Sequence, residues 1–557
     1  ARRHRLARGS PLHMRARLLL VLLPVIQAAE WPPRPQLTQL QKKQLQGVSA
    51  ALLTRSVVSQ ARRAASKPPL RLELGQQEEA GLVDSEPPGP WQLFTRAIVL
   101  LLVFLPTVLT AILARYWPAF RERVWFPLVK TALARAGTAF IKWGQWASTR
   151  PDVFPERLCA VLSELHSQAP RHGWAHTLHE VEAAMGKPLL AAFAAFEQEP
   201  FASGSIAQMH RATDLSGQPL AVKVRHPNVV ERIQTDFALM LMLADFTARV
   251  PVLRWLNLKS SVAQFSATMV AQTRLDIEAE HLRRFGWNFG AGGWRDVRFP
   301  RVRDGGNRAV LLESFEPGEL VSTYTIDKIV GGGSGGATLP RHVARFVVTR
   351  GEDIYLKMLL ADNLMHADLH PGNILLHAPR QADPTLVLID AGMVARLRPI
   401  ESKNFIGFLQ AVGAGDGARA AHAVLGFSDH QTCEDRNGFA TDMAAFFRTD
   451  CRGYFTGVEF GNVLRGVLGL VRKHKVALDA NYMTLVMNVL CLEGMARALL
   501  PDYNVLDAAR PLLTAHKRLP TPVFRAALPL IFSFKKLCDK LDGRGDKHTK
   551  TEDAALA

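Results

Sequence analysis

The stretch MHADLHPGNILL (Met365–Leu376) places two histidines around an aspartate, followed by a Pro-Gly pair and an asparagine. Histidine and aspartate side chains at close spacing are common metal ligands. The same residue types also form catalytic loops that handle phosphate, and polar turns that precede an apolar strand. Taken alone, the stretch is compatible with a metal site, a phosphate-handling loop or a polar turn.

A lysine lies in the middle of a second apolar stretch, PLAVKVRHP, whose alternation is typical of a β-strand. Burying the ammonium group of Lys223 costs several kcal/mol unless an anion pairs with it. The pattern of AQFSATMVAQTRLDIEAEHLRRF predicts one helix, which offers Asp276, Glu278 and Glu280 as candidate partners. An edge strand with Lys223 in water is the alternative.

Three further stretches could belong to the same site. PFASGSIAQMHRA predicts either a tight hairpin or a small-residue loop whose backbone approaches phosphate closely. AVLLESFEPGE predicts a strand that runs into a connector between two lobes. PTLVLIDAGMVARL predicts a strand that ends at Asp390, where an acid suits metal–phosphate coordination or an ordinary turn.

The order of these features is that of the parts of a protein kinase. HADLHPGN overlays on the catalytic-loop pattern HRDLxxxN, and LAVKV overlays on VAIK. LIDAG matches the DFG motif of kinases, with Ala391 in place of the phenylalanine. The sequence therefore predicts an α+β, bilobal protein-kinase-like fold, and the metal-site interpretation of the two histidines becomes a minor one.

Two motifs narrow this prediction. AFIKWGQWAST contains the pattern KxGQ, and FASGSIAQMHRA is similar to an alanine-rich loop that replaces the glycine-rich loop of ordinary kinases. With HADLHPGNIL, they resemble the UbiB/aarF-domain family of atypical kinases, which is related to coenzyme Q biosynthesis. The resemblance runs from about Phe140 to about Leu513. It is strongest to a mitochondrial branch that carries a membrane helix ahead of its kinase-like domain.

This resemblance implies a site for ATP and Mg²⁺. The implied nucleotide-binding residues are Lys223, Glu278, Ala202, Ser203, Gly204, Ser205 and Glu313. The implied metal ligands are Asn373 and Asp390. Asp368 would accept a proton from an attacking hydroxyl or position a water. Lys142 of the KxGQ motif would lie over the active site, contact an acidic motif and the phosphates, and obstruct a protein substrate.

The sequence departs from the family pattern where that acidic motif is expected. The paired acids would fall on Gln272 and Arg274, so the partner of Lys142 is missing unless Asp276 replaces it. Gly204 is expected to loosen a loop that the family keeps stiff. No APE-like end to an activation segment is present in the sequence, which argues against a peptide substrate.

Composition restricts the function classes. The 557 residues carry a formal net charge of +18. No basic stripe interleaved with aromatic residues accompanies it, so nucleic acid is not an expected partner. The five cysteines are scattered along the sequence, which argues against a disulfide framework or a zinc cluster.

The N-terminal region predicts targeting and membrane attachment. Six arginines and no acid precede Glu30, and composition alone leaves a transit peptide and a secretory signal open. Ala97–Ala114 is free of charge and long enough to span a bilayer, or to form a buried core helix. The basic residues after it place the domain on the cytosolic or matrix side. The resemblance favours the mitochondrial inner membrane, with the domain facing the matrix.

The expected organisation has six parts: a targeting segment and disordered linker (1–92), a transmembrane helix (93–115), a helical KxGQ extension (116–190), an N-lobe (191–316), a C-lobe (317–513) and a tail (514–557). Val330–Pro340 predicts a flexible insertion. Two functions are compatible with these expectations. One is a membrane-tethered kinase or ATPase that acts on a lipid or lipid-like molecule. The other is a nucleotide-binding pseudokinase that regulates lipid-biosynthetic enzymes, such as those of coenzyme Q.

Overall fold

A computed structural model describes residues 88–148, 154–165, 171–249, 258–290, 294–325, 339–378 and 383–521, with residues 523–525, 527–528, 531–532 and 535 after them. The targeting segment and most of the linker that the sequence predicts lie outside the described residues. Most of the glycine-rich insertion and the chain beyond residue 535 lie outside them as well.

The described part of the N-terminal region is helical. It contains α1 (Pro90–Tyr116), α2 (Phe126–Ala136), α3 (Thr138–Ser148) and α4 (Glu156–Leu162). One turn of α-helix (Pro118–Phe120) and one of π-helix (Arg121–Trp125) join α1 to α2. Within the described ranges, α1 is the one helix that is long and apolar enough to cross a membrane, judged by length and composition. The apolar segment expected at 93–115 is therefore present as a helix.

Helix α1 packs through one face and leaves the other exposed. Leu100, Val103 and Phe104 contact the apolar core of the helical region, and Arg96 forms an ion pair of 2.6 Å with the buried Asp236. The indole N–H of Trp125 donates to the Thr107 carbonyl at 2.9 Å. The opposite face exposes large apolar side chains, among them Leu101, Leu102, Val108, Leu109 and Ile112. This exposed face is suited to lipid.

The N-lobe is built on an antiparallel sheet. After α5 (Trp174–Met185) and one turn of helix (Leu189–Ala192) come β1 (Phe193–Phe196), β2 (Ala202–Ser203), β3 (Ala207–Asp214) and β4 (Pro219–Arg225). The helices α6 (Val229–Ala248), α7 (Leu258–Gln272) and α8 (Leu275–Phe289) follow, and then β5 (Val297–Arg298) and β6 (Val310–Ser314). The strand order is β1-β3-β4-β6, with β2 paired to β3. The stretch predicted as a hairpin or a loop is thus the β2–β3 hairpin.

The single helix predicted over residues 263–285 is in fact two helices, and that expectation was wrong. Helix α7 ends at Gln272 and α8 begins at Leu275. The Arg225 guanidinium donates to the Thr273 carbonyl at 3.0 Å, and the Leu275 N–H donates to the Arg308 carbonyl at 3.1 Å. Because these long-range bonds replace helical ones, the chain breaks without a glycine or proline to signal it.

The C-lobe is mainly helical. A four-stranded sheet has the order β5-β10-β9-β7, and β8 pairs with β11. Its strands are β7 (Glu319–Leu320), β8 (Met365–His366), β9 (Ile374–His377), β10 (Thr385–Leu388) and β11 (Val394–Ala395). Its helices are α9 (Arg341–Lys357), α10 (Pro399–Ala414), α11 (Gly417–Leu425), α12 (Arg436–Asp450), α13 (Phe460–Lys473), α14 (Ala480–Leu499) and α15 (Val505–Arg518).

The core of this lobe extends past residue 513, where the sequence suggested a tail. We define the described residues from 520 to 535 as the C-terminal segment. Phe524, Ala527 and Phe532 of this segment are buried in the core, and the ring of Phe532 lies 4.9 Å from that of Trp294, just beyond α8. Lys535 is buried and lies 2.8 Å from Asp353. The segment therefore connects the far end of α8 to α9.

Lys535 is expected to be a major contributor to the stability of the C-lobe. It lies 3.4 Å from Glu352 as well as 2.8 Å from Asp353, and all three side chains are buried. Burial raises the pKa of Glu352 to about 7, although Lys535 opposes this rise. Lys535→Met leaves the buried Glu352 without its cation and leaves Asp353 with Arg350 at 3.5 Å, so we expect a loss of about 3 kcal/mol in the free energy of unfolding, measured by chemical denaturation.

The matched control is Lys187→Met, which changes an exposed lysine and is expected to shift stability by no more than about 0.5 kcal/mol. Adding Glu352→Gln and Asp353→Asn to Lys535→Met removes the unpaired charges and should restore part of the loss. Equal stability of wild type and Lys535→Met would contradict the burial of this ion pair.

Candidate active site

The cleft between the lobes is organised around an ion pair between Lys223 and Glu278. The Lys223 Nζ lies 2.8 Å and 2.9 Å from the two carboxylate oxygens of Glu278. Burial alone would lower the pKa of Lys223, but the carboxylates of Asp390 and Glu278 outweigh burial and raise it. The lysine is therefore charged, and the expected pairing of the strand lysine with this helix glutamate is present.

The break between α7 and α8 selects Glu278 from the three candidate acids. Glu278 lies in the first turn of α8, where it is buried against β4. Asp276 instead pairs with Arg274 at 2.7 Å, and Glu280 pairs with Arg283. The proposed replacement of the family acids by Asp276 is therefore not seen, because its carboxylate is held by Arg274.

Asp390, two residues after the end of β10, brings a second carboxylate to Lys223. The Asp390 Oδ1 lies 3.6 Å from the Lys223 Nζ and accepts the Gly392 N–H at 3.2 Å. The positive charges of Lys223 and, against the effect of burial, of Lys142 hold the pKa of Asp390 well below its usual range. About half of the Asp390 side chain is exposed, so an ionised carboxylate faces the open cleft.

A residue not anticipated from the sequence connects Asp390 to α8. The imidazole of His281 is buried, and its Nδ1 lies 2.9 Å from the Ala391 carbonyl, to which it must donate. Burial lowers the pKa of His281 to about 4, so the ring is neutral at physiological pH. His281 and Glu278 are three residues apart on one face of the helix, a spacing that could have signalled this role.

The loop between β8 and β9 contains Asp368 and Asn373. The Asn373 Nδ2 donates to the Asp368 carbonyl at 2.9 Å, which turns the amide oxygen of Asn373 away from this backbone. The Ile389 N–H donates to the Asn373 carbonyl at 3.0 Å, which joins the loop to the end of β10, just before Asp390. The Asp368 carboxylate is partly exposed.

The side chains of the two histidines in this loop accept hydrogen bonds from its backbone. The Nδ1 of His366 accepts the Asp368 N–H at 3.2 Å, and the Nδ1 of His370 accepts the Gly372 N–H at 3.0 Å. His366 is buried, and Asn488 donates to its carbonyl at 2.7 Å. Among the residues that the structure describes, no three His, Cys, Asp or Glu side chains are arranged to hold a metal ion. The histidine metal site is therefore not supported.

The KxGQ motif lies on α3, and two of its residues fix the position of the helix. A Cβ at Gly144 would lie 2.4 Å from the Cδ1 of Leu165, so any other residue would force this buried leucine to shift. The Gln145 side chain donates to the Leu165 carbonyl at 2.8 Å. Lys142 forms no direct ion pair within the described ranges, but its charge acts on Asp390. The motif thus holds a lysine close to the cleft.

Gln272 occupies one position where the family has an acid. Its side chain is buried at the end of α7, and its Oε1 has no hydrogen-bond partner in the part of the chain that the structure describes. A Cβ at Gly392, two residues after Asp390, would lie 3.9 Å from the Gln272 Cγ. An unpaired oxygen at this place is suited to a donor or a cation supplied from the cleft.

The β2–β3 hairpin lies on the same sheet as Lys223. Ala202 pairs with Met209, which pairs with Lys223, so the three residues form a row across the strands. In the turn, the Gly204 N–H donates to the Ala207 carbonyl at 2.9 Å, and Ser205 is buried. The hairpin therefore covers the part of the cleft that adjoins the lysine.

A chain of neutral histidines supports the hairpin turn and was not anticipated from the sequence. The Nε2 of His226 donates to the Gly204 carbonyl at 2.9 Å. Its Nδ1 must then accept from the Nδ1 of His172 at 2.7 Å, and the Nε2 of His172 lies 3.0 Å from the Thr177 hydroxyl. Burial and the neighbouring histidines lower the pKa of His172 to about 4, and burial also lowers that of His226.

This chain predicts that the hairpin loosens in acid. A lowered pKa favours the neutral ring in the folded state, so its stabilisation is complete above the ordinary histidine pKa near 6.5 and declines as the pH falls towards 4. We expect hydrogen exchange at residues 202–206 to accelerate between pH 7 and pH 5 by more than its intrinsic pH dependence allows. His172→Asn retains one donor without a titrating ring and should reduce the excess, because only His226 then titrates beside the turn. An equal profile in both proteins would contradict this role.

Comparison with known proteins agrees with this geometry. Residues 164–424 match the ABC1 atypical kinase-like domain. A probable serine/threonine-protein kinase of Dictyostelium discoideum is 30% identical in an alignment of 486 positions that covers 75% of this chain and 68% of the relative. A mitochondrial ABC1 family protein of Schizosaccharomyces pombe is 28% identical, over 76% of this chain and 71% of the relative. A probable protein kinase UbiB of Marinobacter nauticus is 26% identical, over 69% of each chain. The chain is therefore a member of the ABC1, or UbiB, family of atypical kinases.

Proposed function

We propose that the protein is a membrane-attached, ATP-dependent phosphotransferase or ATPase that acts on a lipid or lipid-like molecule in mitochondria. The observation that carries this proposal is the meeting of Lys223, Glu278 and Asp390 in one cleft, within 3.6 Å of the lysine nitrogen. Asp368 and Asn373 are joined to the same strand end. This is the set of groups that phosphoryl transfer requires.

The charges of the cleft fit a nucleotide that brings its own cation. Lys223 would hold the nucleotide phosphates, because its charge is secured by Glu278. The Asn373 amide oxygen and the Asp390 carboxylate would hold Mg²⁺, which prefers few protein ligands together with phosphate oxygens and water. When bound, Mg²⁺ would neutralise the charge that develops on the transferred phosphoryl group. Asp368 would accept the proton of an attacking hydroxyl, or position a water.

The membrane part of the proposal rests on α1 and on the relatives. Helix α1 exposes an apolar face, and mitochondrial relatives belong to the same family. The name UbiB of bacterial relatives supports a role in coenzyme Q biosynthesis for this chain. The Lys142 ammonium beside the cleft favours a small or lipid-like acceptor over a folded protein. We place the domain on the matrix side of the inner membrane.

A second candidate function is that of a nucleotide-binding pseudokinase that regulates lipid-biosynthetic enzymes. One departure from the family's sequence pattern favours it. Gln272 and Arg274 stand where the family has two acids, and Arg274 is paired with Asp276. The KxGQ lysine therefore lacks its expected partner, which could impair turnover without preventing binding.

Binding is tested by thermal unfolding of the purified protein with Mg-ATP. We expect saturating Mg-ATP to raise the melting temperature of the wild type. The corresponding gain in the free energy of unfolding is about 2.7 kcal/mol when the ligand is at 100 times its Kd. Asp390→Asn should remove most of the rise, because it removes a carboxylate from the metal site. Asp304→Asn, an exposed change outside the cleft, should leave the rise unchanged. Absence of a shift in the wild type would refute the assignment of the site.

Turnover separates the two candidate functions. We expect wild-type protein to hydrolyse ATP, and to do so more rapidly with lipid vesicles or phenol-like head-group mimics. The kcat of Asp368→Asn should fall by at least about 10²-fold, because this variant lacks the proton acceptor. Phosphate release is the measurement, with Asp304→Asn as the control. Equal rates in wild type and Asp368→Asn, together with intact Mg-ATP binding, would instead support the pseudokinase.

A further inference from the structure

Glu313 lies on β6 and faces the cleft. It pairs with Ala221 of β4, while Leu311 pairs with Lys223. Directly paired residues of antiparallel strands share a face of the sheet, so Glu313 and Lys223 project to the same side. The other side of both strands, with Val222, Leu312 and their neighbours, forms the apolar core of the N-lobe. The register therefore places a carboxyl group in the roof of the cleft.

The Glu313 side chain is largely buried, and it has no partner among the described residues. Glu313 is 6% exposed. Within the ranges that the structure describes, no group donates a hydrogen bond to its side chain, and it forms no ion pair. Buried polar groups in folded proteins are hydrogen-bonded in the large majority of cases. The carboxyl group of Glu313 therefore lies in the wall of the cleft with its hydrogen-bonding capacity free for a ligand.

The surroundings of Glu313 keep it protonated. Burial raises its pKa to about 8, and the negative charges of Glu278, Asp390 and Glu316 add to the rise. Lys223 is the cation that opposes it. At neutral pH the side chain is therefore a carboxylic acid, with one O–H donor and one carbonyl acceptor.

The position of Glu313 relative to Lys223 fixes which part of a nucleotide it meets. Lys223, Glu278 and Asp390 mark the phosphate end of the cleft. Glu313 lies two residues farther along the paired strands, roughly 7 Å at about 3.3 Å per residue. It immediately precedes the connector that leads to β7. A nucleotide that extends from the lysine along this roof brings its base to Glu313.

We propose that the Glu313 side chain binds the amino-bearing edge of an adenine base and makes this cleft select adenine over guanine nucleotides. The inference rests on the proposed nucleotide site and specifies its ligand. Adenine presents an amino donor beside a ring-nitrogen acceptor, which complements the acceptor and donor of a carboxylic acid. Guanine presents two donors on the corresponding edge, which complement an ionised carboxylate. A site whose polar groups match one base discriminates strongly against the other.

The experiment compares binding of fluorescent ATP and GTP analogues with Mg²⁺ to the full chain at pH 7. Wild type is expected to favour ATP by at least about 10-fold. Glu313→Gln retains one acceptor and one donor in the same shape, so its preference should stay within about threefold of wild type. Glu313→Leu removes both groups and should bind the two analogues within about threefold of each other. An unchanged preference in Glu313→Leu overturns the proposal.

A pH series provides a second test that needs only one substitution. Ionisation of Glu313 above its pKa of about 8 removes the donor, so the wild-type preference for ATP should fall between pH 7 and pH 9. Glu313→Gln cannot ionise and should keep its preference over this range. A parallel fall in both proteins overturns the proposal, even if Glu313→Leu fails to fold.

The test also separates this inference from the proposed function. If wild type binds neither analogue, the nucleotide site itself is wrong and both proposals fail. If wild type binds both analogues and the Glu313 variants behave like it, the nucleotide site stands and base selection by Glu313 is refuted.

Discussion

The cleft depends on one positive charge that is shared among several carboxyl groups. Lys223 is in ion-pair contact with Glu278 and Asp390, and Glu313 lies on the same face of the sheet. The fully buried member, Glu278, needs the lysine because an unpaired buried carboxylate is strongly unfavourable. Asp390 remains ionised and half exposed, so the arrangement has an excess of negative charge on the side that faces solvent. The charge of Lys142 acts on the same carboxylate.

Helix α8 connects the Lys223–Glu278 ion pair to both lobes. Its first turn carries Glu278, and its middle holds the Ala391 carbonyl through His281. Beyond its last turn, Trp294 packs between Phe289 and Phe532 and lies 4.0 Å from the Arg350 guanidinium. The helix is therefore held at its start by charge, in its middle by a hydrogen bond and at its end by aromatic packing. A shift of α8 would have to break contacts of all three kinds.

The sequence was sufficient to predict the family, the bilobal fold and the residues of the central ion pair, because each lay in a local motif. Strand alternation around Lys223 is a property of neighbouring residues, whereas the choice of Glu278 among the three acids of the predicted helix came from the family resemblance. The break between α7 and α8 could not be predicted, since it is made by bonds to Arg225 and Arg308 from distant parts of the chain. The histidine chain and the packing of the C-terminal segment in the core could not be predicted either, because their partners are also far away in sequence.

The contact between Trp294 and Phe532 has a consequence for the order in which the protein can fold. The two residues are separated by 238 positions (532 − 294), and Lys535 follows three residues later. The end of α8 therefore exposes an aromatic surface until the C-terminal segment packs onto it, and this packing is one of the long-range steps of folding.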